Sequence, residues 1–400
     1  MPQVNHDQAR QRLMRLLAVE GITGQEKAIG RELIDILRAA GVPARNIRFD
    51  DAHKRISLPT ETGNLLVNLP GRGELKAAPR ILFSTHMDTV PLCAGAKPKI
   101  QGRKIINAAK TALGGDNRTG CGVLATLAAE LVAHKQAHPP VTLLFTVREE
   151  SGLWGARFLN KSDLGETRLA FNFDGRSASD IIIGAVGADR WEVEIFGRAS
   201  HAGGAPEKGI SANLIFARAL SSLHAKGWFG KISRAGRMGT SNVGSVGGAD
   251  GSSAGDATNV VTDYVHVTGE SRSHDAKFVK EITTAYKTAL RAAAERLENS
   301  EGKCGKVKFK SRLDYHPFAL KTSQKVVKQA QQAISAIGLE PEIKIANGGL
   351  DANWLVRHGI PTVTFGAGQN DVHTISEWID LTNYERACSL AVQLATAGSS

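Results

Sequence analysis

Short runs of aliphatic and β-branched residues alternate along this chain with longer segments in which apolar residues recur every three or four positions. That is the pattern of an α/β fold, a mostly parallel sheet flanked by helices. Arg80 to Thr85, Val141 to Val147, Leu169 to Phe173 and Ile360 to Phe365 read as buried strands, and Gly114 to His134 and Asp380 to Thr396 as helices between or after them. In such a sheet, functional residues gather where strands end.

From about Ala188 the pattern changes to a strand (Trp191 to Phe196), a helix (Ala212 to Ala225), strands near Ser241 to Val246 and Val260 to Glu270, then a helix and a strand. This order predicts a small α+β unit of the ferredoxin-like kind. Its second helix is marked by Phe278, Ile282, Tyr286, Ala289, Ala293 and Leu297 on one face. The Gly- and Ser-rich stretch Gly244 to Gly255 has few groups able to pack a core and reads as a mobile loop at a lid edge. After about Leu313 the helix and strand alternation returns. A chain of 400 residues is too long for one ordinary core. The expected division is a catalytic domain over residues 1–187 and 314–400, interrupted by a lid and dimerisation domain over 188–313.

Composition narrows the class. The chain is 42% hydrophobic and 22% charged, with no apolar run near the length a membrane span needs, so a water-soluble globular protein is expected. The first residues mix Asp7, Arg10, Arg12 and Arg15 with scattered apolar residues and do not read as a signal peptide. Cys93, Cys121, Cys304 and Cys388 are far apart, which argues against a disulfide framework and a cysteine zinc site. The expected compartment is the cytoplasm. The formal charge of +11 is spread through the sequence rather than gathered into a stripe, so neither nucleic acid nor a membrane is expected as a partner.

Acidic residues and histidines cluster where the predicted strands end. His86 and Asp88 follow one strand at a spacing that sends both side chains to the same side of an extended chain. One can ligate a metal while the other accepts the imidazole N–H and fixes the tautomer, a part that suits Asp88. Asp116 heads the helix after Gly114-Gly115; taken alone it would serve as an N-cap. Glu149 and Glu150 end a second strand, where one carboxylate can ligate while its neighbour takes a proton from water. Asp174 ends a third strand, and His373 lies in a Gly-rich loop after a fourth. Two histidines with carboxylates and no cysteine make a hard to borderline donor set, suited to zinc and also to manganese or cobalt. If two ions share His86, Asp116, Glu150, Asp174 and His373, one carboxylate must bridge, and the helix-leading Asp116 is the natural choice.

The stretches Ser84-Thr85-His86-Met87-Asp88-Thr89, Gly114-Gly115-Asp116-Asn117-Arg118-Thr119-Gly120, Thr146-Val147-Arg148-Glu149-Glu150-Ser151-Gly152, Asp174-Gly175 and His373-Thr374 resemble, in that order, the zinc-dependent exopeptidases and deacylases that include peptidase T, carboxypeptidase G, aminoacylase and acetylornithine deacetylase. The likeness covers nearly the whole chain and is strongest to the peptidase T-like branch. It implies that His86 and Asp174 hold one ion, Glu150 and His373 the other, and Asp116 both, with Glu149 as catalytic base, Asp88 behind His86 and a cis peptide after Asp116. It also implies a homodimer through the inserted domain, with His201 reaching a partner's scissile carbonyl. Asn259, Arg272 and the segment Gly348-Gly349-Leu350-Asp351 would contact substrate. Arg118 stands where relatives often carry Lys.

The function implied is hydrolysis of an amide bond in short peptides, an aminopeptidase or tripeptidase activity. The alternatives are an N-acyl-amino-acid deacylase or carboxypeptidase built on the same centre, and an inactive relative kept as a binding protein.

Overall fold

The computed structural model describes residues 4–397 apart from Ala249 and Asp256. The chain divides into two compact units, one holding the residues up to Ala185 and again from Phe318, the other Val186–Pro317.

In the first unit, four parallel strands form the centre of a sheet in the order Val141–Thr146, Ile81–His86, Leu169–Phe173 and Thr362–Phe365. Antiparallel strands Leu65–Leu69 and Ile47–Phe49 extend one edge, and Asp180–Ala185 with Phe318–Ala319 the other. Val141–Thr146 and Ile81–His86 are buried at every position, which explains why they read as continuous apolar runs rather than alternating ones. A row of rings crosses the strands: Phe83 and Phe171 have centroids 5.6 Å apart, Phe171 and Phe365 5.9 Å, and Phe365 and Phe173 5.4 Å.

The helix Gly115–His134 lies against this sheet and is buried on almost every side, consistent with its run of Gly, Ala, Val and Leu. Gly120 shows why small residues are needed, since a Cβ there would sit 2.1 Å from Thr85 Oγ1 and 2.5 Å from the Phe173 carbonyl. A smaller sheet of Pro98–Gln101, Lys104–Asn107, Trp378–Asp380 and Gln369–Asn370, not expected from the sequence, braces the segment that carries His373.

The inserted unit is a five-stranded antiparallel sheet in the order Gly230–Arg234, Arg237–Gly247, Tyr264–Ser273, Gly187–Phe196 and Lys306–Tyr315. Helices Ala212–Ala225 and Ala276–Glu295 cover one face, where Trp191, Val193, Ile195, Val265 and Val267 meet Ile215, Phe278, Ile282 and Tyr286. Ser211 caps the first helix through the Leu214 N–H, and Asp275 the second through those of Lys277 and Phe278.

Two expectations change here. The strand expected near Ser241 to Val246 runs Arg237–Gly247, so the first residues of the stretch read as a loop, Gly244 to Gly247, are strand, with a register shift between Val243 and Ser245. The strand also pairs with an unexpected hairpin neighbour, Gly230–Arg234. The third strand begins at Tyr264, not Val260. Ala249, within the predicted loop, lies outside the described residues.

Candidate metal centre and active site

Each of the four central parallel strands delivers chemistry at its C-terminal end. His86 is the last residue of its strand and is 2% exposed. Its Nδ1 lies 3.1 Å from the Asp88 carbonyl and 3.3 Å from Asp88 Oδ1, which leaves Nε2 facing the cluster. There Nε2 is 3.1 Å from Asp116 Oδ1 and 3.9 Å from Asp174 Oδ1. On the other side, His373 Nε2 is 3.2 Å from Asp116 Oδ2 and 3.0 Å from Glu150 Oε2. His86, Asp116 and Asp174 thus form one group with a metal ion's reach, and Asp116, Glu150 and His373 a second, the donor atoms in each within 4.8 Å of one another. Asp116 belongs to both and turns one oxygen toward each.

The electrostatics describe a cluster short of positive charge. Burial, and then the neighbouring Asp116, push Asp174 well above the usual carboxylate range; the same two causes take Glu150 to about 7. Burial chiefly raises Glu149, with Glu150 and Asp174 adding to it. Burial opposes ionisation of Asp116 too, yet hydrogen bonds from His373 and His86 hold it well below the usual range. Hydrogen bonds to Asp116 and Glu150 take His373 up to about 10. Burial alone would lower His86, but Glu149, Asp116 and Asp88 raise it well above its ordinary value. Carboxylates that resist ionisation together, and histidines drawn into holding protons, fit a donor set made for divalent cations.

Backbone contacts fix these side chains. Asp88, fully buried, accepts the N–H of Glu149 on Oδ1 at 3.0 Å and that of Glu150 on Oδ2 at 3.2 Å, besides supporting His86. The peptide between Asp116 and Asn117 is cis, as the resemblance implied. Asn117 Nδ2 donates to the Phe173 carbonyl at 2.7 Å, tying the start of the helix to the strand that ends at Asp174.

Glu377 was not singled out in the sequence. It is 3% exposed and accepts the N–H groups of Leu113, Gly114 and Asp116 at 2.8, 2.7 and 3.0 Å, holding the approach to Asp116. Its position four residues after His373 is the only trace of this in the sequence, and spacing alone says nothing about backbone amides 260 residues away. Arg118, 2% exposed, donates to the carbonyls of Met87 and, at 3.2 Å, Val19, so its charge is used on backbone oxygens beside His86.

The expected substrate contacts are more scattered. Gly348 is open, with nothing within 4 Å of the place a Cβ would occupy; Gly349 follows it at the start of the turn into helix Asp351–Arg357. Asp351 is 1% exposed, its Oδ2 accepts from the Thr146 hydroxyl, and its charge acts on Glu149 and Asp174. The inserted unit holds the other three. His201 is exposed, its Nδ1 accepts from the N–H groups of Gly203 and Gly204 at 3.1 and 2.9 Å, and it pairs with Val260 beside Asn259. Arg272 is occupied by Glu270, with Nη2 2.9 Å from Oε2.

Residues 82–397 match the sequence model of Peptidase family M20/M25/M40. An uncharacterised protein of Bacillus subtilis, YqjE, is 29% identical over 98% of both chains. Among solved structures, aminopeptidase PepT from Bacillus cereus is similar with a TM-score of 0.81 at 29% identity, and a tripeptidase from Staphylococcus aureus with a TM-score of 0.86 at 26% identity. Each covers 98% of this chain and of its own.

Proposed function

This chain belongs to peptidase family M20/M25/M40 and is a hydrolytic enzyme, and from that premise we propose that it is an aminopeptidase or tripeptidase that hydrolyses short peptides at a dinuclear metal centre. The observation that carries the reading is Asp116, with one carboxylate oxygen toward His86 and the other toward His373. In this reading His86 and Asp174 hold one ion, Glu150 and His373 the second, and Asp116 both. The donor set favours zinc, with manganese and cobalt as the other fits.

Cations held by His86, Asp116 and Asp174 and by Asp116, Glu150 and His373 would supply Lewis acidity and would lower the pKa of water toward about 7. The remaining steps fall to the chain itself. Glu149, raised by burial and by its acidic neighbours, is suited to take a proton from the attacking water and pass it to the leaving amine. Asp88 keeps the His86 tautomer and aims Glu149 through its backbone N–H. Gly348 and Gly349 leave room for substrate backbone. From the inserted unit, His201 would reach the scissile carbonyl across a homodimer formed through that unit, Asn259 would contact substrate, and Arg272 would exchange Glu270 for a substrate carboxylate. The proposed setting is the cytoplasm; among the described residues no helix is long and apolar enough to cross a membrane.

A panel of di- and tripeptides set against N-acetyl amino acids, on protein loaded in turn with zinc, manganese and cobalt, tests this. Release of N-terminal residues from free peptides is expected. Turnover of acylated amino acids alone would replace the reading with a deacylase, and no turnover of either with an inactive relative.

A further inference from the structure

The turn that carries Glu149 and Glu150 is gripped from a part of the chain that precedes the family-matched residues. Residues 21–26 run across the ends of two central strands: Thr89 donates its N–H to Gly21 O at 3.1 Å, Thr23 donates its own to Thr89 O at 2.9 Å, and the Thr23 and Ser151 hydroxyls are 2.9 Å apart. The segment ends at Glu26, before helix Lys27–Ala39. Glu26 has no exposed surface. Its Oε1 accepts the N–H of Gly24 at 2.7 Å and that of Arg148 at 3.1 Å, while Oε2 is buried without a hydrogen-bond partner among the described residues.

Four consecutive N–H groups are therefore held by side-chain oxygens from three separate segments: Val147 by Asn64, Arg148 by Glu26, and Glu149 and Glu150 by Asp88. Arg148 sits at φ +52°, in the left-handed region that favours glycine, so the turn needs outside support. Its guanidinium is spent on Thr60, Ser151 and the Pro59 carbonyl and does not neutralise Glu26. Buried Arg118 acts on Glu26 only through its charge, its hydrogen bonds going to the Met87 and Val19 carbonyls, and a buried carboxylate without a direct partner costs stability. Packing alone gives no reason to keep it, whereas a charge-assisted bond to the peptide just before the Glu149–Glu150 pair does.

We propose that Glu26 is a positioning residue for the reaction: by fixing the Arg148 peptide it sets where Glu149 and Glu150 project, so that residues 21–26 govern both proton transfer and the hold on the second ion. The proposal rests on the roles given above to Glu149 and Glu150.

The test compares wild type with Glu26→Ala, Glu26→Gln and Glu26→Asp. Zinc stoichiometry and affinity are measured by chelator competition without substrate, and kcat and KM on a tripeptide. Glu26→Ala is expected to lower kcat, and the affinity for the more weakly held ion, by about 10- to 100-fold, as loss of a group supporting a metal ligand does, with KM little changed. Glu26→Gln keeps an acceptor oxygen but not the charge and is expected to recover part of both. Glu26→Asp, one methylene short of the Arg148 N–H, is expected to fall between them, and decides the matter if the alanine variant does not fold. A Glu26→Ala or Glu26→Asp protein that melts earlier but keeps wild-type kcat and ion affinity overturns the proposal, as does a glutamine variant no better than alanine. Wild type that binds no divalent ion would sink the functional reading, and this proposal with it. Wild type that binds two ions but cleaves no peptide leaves the affinity comparison to decide.

Discussion

Replacing Asp88 with Asn keeps the volume of a fully buried side chain and changes only what its two terminal atoms offer. At present both oxygens accept, one from Glu149 N–H at 3.0 Å and one from Glu150 N–H at 3.2 Å. An asparagine has a single acceptor, so one of these N–H groups would face an NH₂ group. A buried donor left unpaired costs about 1–3 kcal/mol. The surviving bond changes from charge-assisted to neutral and loses roughly half its strength, about another 1 kcal/mol. His86 also loses the carboxylate 3.3 Å from Nδ1, although the Asp88 carbonyl at 3.1 Å remains to hold the tautomer. Destabilisation of roughly 2–4 kcal/mol is expected on these terms. Disturbed support for a metal ligand typically lowers metal affinity or activity by about 10- to 100-fold, equivalent to roughly 1.4–2.7 kcal/mol. Urea unfolding of the chelated protein reads the first quantity, and chelator competition with peptide turnover the second. Asp88→Ala, which removes both acceptors, should be worse on each. An asparagine variant with wild-type ion affinity and kcat would refute the view that Asp88 positions both His86 and the glutamate turn.

On the proposed reading, in which Glu149 is base and not ligand, Glu149→Gln should lower turnover by about 10² to 10⁴ while leaving metal content unchanged; near-normal turnover by stopped assay would remove it from that role. Metal binding by the chelated protein should release protons. His373, at about 10, and Glu150, at about 7, both carry protons near neutrality that a cation must displace. Affinity should therefore rise with pH, and the calorimetric enthalpy should vary with the ionisation heat of the buffer; buffer-independent heats would contradict this. The same shifts set the pH stability of the metal-free protein. The folded-state value of Glu150 is raised above the unfolded one, so the fold takes up a proton that the unfolded chain has given up, and stability falls as pH rises from about 4.5 toward 7. His373 contributes fully below about 6.5 and loses that contribution as pH rises through about 10. The melting temperature of the chelated protein should decline across the whole range, and a rise would show the shifts to be misassigned. Gly120→Ala places a methyl group against Thr85 and the Phe173 carbonyl and should cost about 1–3 kcal/mol, with weakened ion binding because helix and strand ends separate; an unchanged melting temperature would show that the contact yields freely.

The parallel centre was legible because its strands are buried on both faces and so appear as unbroken apolar runs, and the helix Gly115–His134 because its small and aliphatic residues admit no solvent face. The acidic and histidine residues could be read from their places just after those runs. The strands of the insert were harder. Arg237–Gly247 is rich in Gly, Ser, Asn and Thr with one face open to water, so only its second half, near Ser241 to Val246, was legible, and its first half and its hairpin partner Gly230–Arg234 were missed. Pairs such as Gln369–Asn370 with Trp378–Asp380 are too short to show any period. Glu26 and Glu377 escaped for another reason. Each acts on backbone amides far away in sequence, and a glutamate that will be buried looks, in the chain, like one that will be solvated.

The interrupted first unit puts the two halves of the proposed centre on different schedules during synthesis. His86, Asp116 and Asp174 have all been made once residue 174 has left the ribosome, together with three of the four central strands. The fourth strand, His373 and the Glu377 that steadies Asp116 arrive about two hundred residues later, after the inserted unit. At translation rates of about 5–20 residues per second the nascent chain spends roughly 10–40 seconds with half a centre. The early half would then have a carboxylate, Asp116, with one oxygen still waiting for its histidine. On the proposed dinuclear reading, errors of metal loading should concentrate in that interval, and chains cut short before residue 373 should bind one ion per molecule.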